Sequence, residues 1–287
     1  MARIIIFGEI LWDCLPSGPR LGGAPLNVAA NLSLLGHEAV MVSAVGKDDF
    51  GDRALKMMKQ YGVNTDYVIQ ESYPTGTVEV TLDEQGDASY RFTPDCAWQH
   101  LAELMGEQSL PNGDALLYGS LANHVELNWS WLKKQLDDFP GLKFCDINLR
   151  EPWELELVKD IASTPDILKC NEAEYTAMTQ MEASVSDMRL LKDAQEADPN
   201  FPNNLCITFG KDGALYFSEK NEIYSGVTSA IQVVDSIGAG DAFMAGLMHQ
   251  LISSKQEPEL DFLNVCCQLG AEAASRSGAL PGLEQEE

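Results

Sequence analysis

The 287-residue chain is short of positive charge: 19 Lys and Arg face 44 Asp and Glu, for a formal net charge of −25. Such a surface repels nucleic acid and anionic lipid, so neither is expected as a partner. No apolar run approaches the ~18 residues of a membrane span. The opening MARIIIFGEILWD lacks a small-residue cleavage site, and its apolar run reads as a buried first strand rather than a signal peptide. No Cys-x-x-Cys occurs among the seven cysteines. Cys145, Cys170 and Cys206 lie in or beside apolar runs, and Cys266 and Cys267 fall in a helical pattern. Reduced, buried thiols and a cytoplasmic location follow, with no disulfide or metal role. The phosphate-binding pattern G-x-x-x-x-G-K-[ST] is missing. At Gly238 the pattern G-x-G-x-x-G fails because Phe243 stands where the third glycine belongs. P-loop and dinucleotide readings of that loop are thereby set aside.

What the chain does have is alternation. Apolar runs RIIIFGEI, AVMVSAVG, ALLYGS, LKFCDIN, DILKCN, NLCITFG and GALYFS read as strands. Between them APLNVAANLSLLG, DDFGDRALKMMKQYG, ELNWSWLKKQLDDF, ELELVKDIAS and EAEYTAMTQM carry helical spacing, and two further helices are expected from Asp241 and near Leu260. Strands apolar throughout, interleaved with helices, predict an α/β fold with a parallel sheet covered on both faces. One stretch breaks the rhythm: PTGTVEVTLDEQGDASYRFTPD alternates by twos and turns at DEQGD, a hairpin signal. With the irregular Gly/Pro-rich residues 13–24 it predicts a small β lid, at roughly residues 11–24 and 75–95, within one domain of 287 residues. EADPNFPNN reads as a surface loop.

The chemistry concentrates in VVDSIGAGDAFMAG, residues 233–246. Gly238-Ala239-Gly240 follow an apolar segment and open a helix. Small residues let backbone N–H groups approach a ligand, and the helix dipole adds positive potential, so the loop suits an anion. Asp241 directly follows. A carboxylate beside a permanently bound phosphate would be an electrostatic oddity. Beside a phosphoryl group being delivered to an alcohol it has work to do: the amides stabilise the transferring group and the carboxylate accepts the hydroxyl proton. Alone, GAGD reads first as a helix with an N-terminal acid.

Together, GGAPLNVAANLSLLG at 22–36 and DSIGAGDAFMAG at 235–246 resemble the two signatures of the ribokinase-like (PfkB) carbohydrate kinases, in the right order and separation. GEILWD, GGAPLNVA, DINLR and PTGTVEV look most like bacterial fructokinases. The resemblance implies a central, mostly parallel sheet with helices on both faces and a β lid over a sugar. It also implies transfer of the ATP γ-phosphoryl group to a sugar hydroxyl with Mg²⁺, most simply that of D-fructose. Asp241 matches the family's base and Gly238, Ala239 and Gly240 its anion hole. Asp13, Gly23 and Asn27 match sugar-binding positions, and Arg150 in DINLR resembles an Arg near the phosphates or sugar. Asn171 and Glu174 match an N-x-x-E motif that helps hold Mg²⁺, with Glu174 acting through water; NEAE also reads as a capped helix start. Gly210 and Gly213 in TFGKDG resemble a nucleotide-side loop and also read as a tight turn. Asp235, Ile237 and Gly278 match the surroundings of a monovalent cation in some members, which leaves K⁺ activation open. Ser236 stands where many members have Thr. The resemblance also admits ribose, a keto-deoxy sugar acid or a purine nucleoside as acceptor, the last on an aromatic face built from Trp12, Phe92 and Trp98. A sugar-binding regulator without catalysis is the remaining alternative. An uncovered lid edge invites a second copy, so a homodimer through the lid is expected.

Overall fold

The computed structural model describes residues 1–82, 88–150, 153–218, 220, 223–226, 232–253 and 261–280. The strands are β1 (Arg3–Phe7), β2 (Leu11–Leu15), β3 (Gly18–Gly22), β4 (Glu38–Gly46), β5 (Asn64–Glu71), β6 (Gly76–Leu82), β7 (Ala88–Phe92), β8 (Ala115–Gly119), β9 (Leu142–Asp146), β10 (Ile167–Asn171), β11 (Asn204–Thr208), β12 (Ala214–Phe217) and β13 (Ile223–Gly226). The helices are α1 (Ala24–Leu34), α2 (Asp49–Gln60), α3 (Leu101–Met105), α4 (Glu126–Asp138), α5 (Leu155–Ala162), α6 (Glu172–Thr179), α7 (Leu190–Ala197), α8 (Ala239–Ser253) and α9 (Phe262–Ala274).

Nine strands form one sheet in the order β13-β12-β11-β10-β9-β8-β1-β4-β5. Pairing is parallel from β11 through β5 and antiparallel only where β12 joins β11 and β13 joins β12. The uniform apolarity of β1 has a direct cause. Ile4 and Ile6 enter a core shared with α1, α2, α8 and α9, while Ile5 and Phe7 enter a second core shared with α3 to α7. A strand buried on both faces has no polar side to show.

The lid is a separate four-stranded sheet, β3-β2-β6-β7. Its β2–β3 and β6–β7 pairs are antiparallel, and β2 joins β6 in parallel. Both expected lid segments are therefore strands of one sheet; the expected turn at DEQGD lies outside the described residues. The lid is tied to the body at its root. Asp48, whose carboxylate caps α2 by accepting from the Gly51 N–H at 2.8 Å, also accepts from the Thr75 N–H at 2.8 Å and hydroxyl at 2.6 Å.

The structure adds elements that the periodicity did not predict. β5, read NTDYVIQE, is a half-buried edge strand with mixed polarity. β13 has four residues, alternately exposed and buried. The EADPNFPNN segment divides, its first residues ending α7 and its last beginning β11.

Candidate active site

The C-terminal ends of β1, β9, β10 and β11 open on one cavity of about 520 Å³, with the N-termini of α1 and α8 on its rim and the lid across it. This is where an open parallel sheet gathers ligands. Asp13, Gly23, Asn27, Arg150, Asn171, Glu174, Gly238, Gly240 and Asp241 all line it. Ala239 does not; its N–H donates to the Ser236 carbonyl at 3.3 Å. Gly210 and Gly213 also lie off the cavity, in the short turn between β11 and β12, and Thr208 is the β11 residue that reaches it.

Asp241 sits in the first turn of α8, only 9% exposed. Its Oδ2 accepts a 2.8 Å hydrogen bond from Nδ2 of Asn27, itself buried in the first turn of α1. The two signature segments, 214 residues apart, thus meet in a single bond. Burial pushes the Asp241 carboxyl up, while the Asn27 hydrogen bond, Lys169 and Arg150 hold it back. The Asn27 Oδ1 is buried with no hydrogen-bond partner among the described residues.

Two glycines set the close approaches. Gly23, at φ 107°, precedes α1, and a Cβ there would lie 2.6 Å from the Glu9 carbonyl oxygen. Gly238, at φ 79°, packs on Ala279, where a Cβ would lie 2.6 Å from the Ala279 Cα. No other residue fits both conformation and space. Asn148, past the end of β9, also adopts a left-handed conformation, at φ 42°, and lines the cavity. Asn tolerates that region better than most side chains.

The Asn171–Glu174 pair forms a capping box at the start of α6: Asn171 Oδ1 accepts from the Glu174 N–H at 2.9 Å, and Glu174 Oε2 from the Asn171 N–H at 2.8 Å. Glu174 Oε1 accepts from the Leu149 N–H at 2.9 Å, tying the residues after β9 to α6. Both carboxylate oxygens are engaged by backbone, so the capped-helix reading of NEAE holds. Among the described residues no group of three or more His, Cys, Asp or Glu is disposed to hold a metal. A divalent cation fits here only through waters and phosphate oxygens, the mode Mg²⁺ favours.

Two buried charges at the site escaped the sequence reading. Lys169, 6% exposed, sits in the middle of apolar β10 and donates to both oxygens of Asp146 on β9 at 2.9 Å. Burial alone would lower its ammonium; Asp146, with Glu174 and Asp241 beyond it, outweighs that and raises it above its usual value. A Cβ on Gly240 would lie 3.4 Å from the Lys169 Nζ, so a fixed positive charge stands directly behind the loop. Glu9, just past β1, is buried and faces the same cavity. Burial pushes its carboxyl up to about 7, against its own and Ala24's N–H and Arg150, with Asp241 pushing it further. A charged residue within or directly after an all-apolar strand was the available signal for both.

The comparisons with known proteins fall on this geometry. A model of the pfkB family carbohydrate kinases matches residues 18–285. The chain belongs to that family. A fructokinase of Escherichia coli is 27% identical over 301 residues, spanning 98% of the chain and 96% of the relative. The kinase superimposes on the fructokinase of Vibrio cholerae O395 in its fructose, ADP and calcium form with a TM-score of 0.82, at 23% identity, covering 98% and 95% of the two chains. A double mutant of that enzyme carrying fructose, ADP and potassium gives 0.83 at 24% identity, covering 98% and 94%. The aminoimidazole riboside kinase of Salmonella enterica, bound to its riboside and an ATP analogue, gives 0.78 at 19% identity, covering 97% and 95%. Fold and family agree with the expectation from the two signatures.

Proposed function

We propose that the kinase transfers the γ-phosphoryl group of ATP to a hydroxyl of D-fructose, with Asp241 as the base. The observation that carries this reading is the Asn27–Asp241 hydrogen bond at the mouth of α8, beside Gly238 and Gly240. Asn27 fixes one oxygen of the carboxylate and leaves the other to accept a proton from an acceptor hydroxyl. Burial raises the carboxyl above its ordinary value, which strengthens it as a proton acceptor. The backbone N–H groups of Gly238 and Gly240, the α8 dipole and Lys169 behind Gly240 all place positive potential where the transferred group gains charge. Mg²⁺, held through water near Asn171 and Glu174, supplies further neutralisation of the nucleotide's phosphates. The turn at Gly210 and Gly213 is assigned to the nucleotide side.

The acceptor follows from the charge of the cavity. Among the described residues Glu9, Asp13, Glu174 and Asp241 line it against Arg150 and Lys169. Arg150 holds down the carboxyls of Glu9, Asp13 and Asp241, so its charge is already shared. A sugar acid would add an anion to this excess, whereas a neutral polyol supplies hydroxyl donors for Asp13. A purine acceptor loses most of its platform: Trp12 stacks on Phe50 in the core and Trp98 is buried away from the cavity, leaving Phe92. Fructose among the relatives' ligands supports the choice of hexose. The lid's outer strands, β3 and β7, are the edges through which two copies would pair as a homodimer.

ADP release with Mg-ATP, measured across fructose, other hexoses, ribose, a keto-deoxy acid and purine nucleosides, tests the assignment. Selective turnover with fructose is expected. Turnover with another acceptor overturns the substrate and keeps the mechanism; silence with sugar binding intact points to a regulator.

A further inference from the structure

Asp235, three residues before Gly238, was matched to the surroundings of a monovalent cation. Its contacts in this chain do not fit that role. Oδ1 accepts from the Ile237 N–H at 3.0 Å and Oδ2 from the Gly278 N–H at 3.1 Å. A guanidinium nitrogen of Arg20 approaches the same Oδ2 at 3.7 Å. The guanidinium lies against Gly278, where a Cβ would sit 3.5 Å from Nη1. A metal cation bound to Asp235 would therefore stand beside the positive charge of a guanidinium.

Arg20 comes from the lid. It lies on edge strand β3, opposite Asp13 of β2. Asp235 belongs to the loop that ends at the α8 N-terminus, and Gly278 to the turn on which Gly238 packs through Ala279. Three segments distant in sequence meet at one carboxylate: the lid edge, the anion-binding loop and the turn behind it. With Arg20 removed, a carboxylate holding two backbone N–H bonds would keep its full negative charge beneath a loop that must receive phosphate.

We propose that Arg20 supplies from the lid the positive charge that a monovalent cation would otherwise bring to Asp235, so that the 235–241 loop is set without that cation. Arg20 is thus a positioning residue, and it ties the seating of the lid to the shape of the anion-binding loop. The effect on turnover rests on the proposed kinase reaction; the effect on stability does not.

The test compares the wild type, Arg20→Gln and Arg20→Lys in KCl and in tetramethylammonium chloride at equal ionic strength. Melting is followed without ligand and turnover with Mg-ATP and fructose. The wild type is expected to melt and turn over alike in both salts. Arg20→Gln is expected to melt lower in tetramethylammonium and to lose roughly tenfold in kcat, the scale of a modest misplacement of transition-state donors. K⁺ should restore both selectively. Arg20→Lys keeps the charge and should remain indifferent to K⁺, which decides the matter should Arg20→Gln not fold. A K⁺ requirement in the wild type or in Arg20→Lys, or an Arg20→Gln variant indistinguishable from wild type, overturns the proposal. Should no protein turn over, the kinase reading fails while the melting data still judge Arg20.

Discussion

The nine-stranded body and the lid hold their strands in place by different means. In the body, β1 buries Ile4 to Phe7 in two cores, one on each face. In the lid, β2 is buried only through Leu11 and Trp12, and Asp13 to Leu15 are half-exposed. The groups proposed to act on the transferred phosphoryl group and the acceptor proton, Asp241, Asn27 and Lys169, hang on body elements and are nearly inaccessible. The groups offered by the lid, Asp13 and Phe92, meet the cavity from strands with little core of their own. Under the proposed function the difference separates two tasks: the body presents the base and the positive field, and the lid admits and orients the acceptor. Substitutions of the buried body groups should therefore lower stability and kcat, and those of the lid groups that face the acceptor, such as Asp13, should raise KM; Arg20, the lid residue that reaches a body loop, is the exception.

The largest effect is expected in the body. Lys169→Met leaves Asp146 buried without its partner, and breaking a buried pair costs about 3–5 kcal/mol. Urea unfolding should show that loss; a variant as stable as the wild type would mean that the Asp146 carboxylate is satisfied by other means. Next comes Glu9. A carboxyl raised from 4.5 to about 7 in the folded state binds protons that the unfolded chain has lost. Its contribution to stability therefore falls as pH rises from about 4.5 to about 7 and is level above, by up to about 3 kcal/mol. Glu9→Gln should flatten that part of the stability profile; an unchanged profile would place the carboxyl in contact with water. The smallest effect belongs to the lid. Asp13→Asn weakens hydrogen bonds from sugar hydroxyls to a charged acceptor, for a rise in KM of roughly tenfold with kcat nearly kept. A fall in kcat with KM unchanged would move Asp13 from orientation into the chemical step and blur the division between body and lid.

What the sequence disclosed follows the same division. β1, β4 and β8 to β11 were legible because strands buried on both faces carry apolar runs with few interruptions. β5 was not, because an edge strand reading NTDYVIQE has neither a continuous apolar run nor a clean alternation. The two signatures were legible as motifs, and they bring Gly23, Asn27, Gly238, Gly240 and Asp241 to one cavity. Lys169 was not, because its meaning lies in a partner on another strand: only the β9–β10 register, which sets Lys169 opposite Asp146, turns an interruption of an apolar run into an ion pair. Glu9 and Arg20 were hidden for the same reason, since their roles depend on chain segments that are distant in sequence. The aromatic face drawn from Trp12, Phe92 and Trp98 failed because composition shows neither burial nor direction.

The central claim is that Asp241 takes the proton of the acceptor hydroxyl. Asp241→Asn keeps the size of the side chain and an oxygen for the Asn27 amide to meet, and it removes the base. Steady-state turnover with Mg-ATP and fructose, paired with calorimetric titration of both ligands, separates chemistry from binding. The account predicts a fall in kcat of roughly 10²-fold or more with both ligands still bound. An Asn variant that turns over at a near-normal rate would contradict it and remove Asp241 as the base.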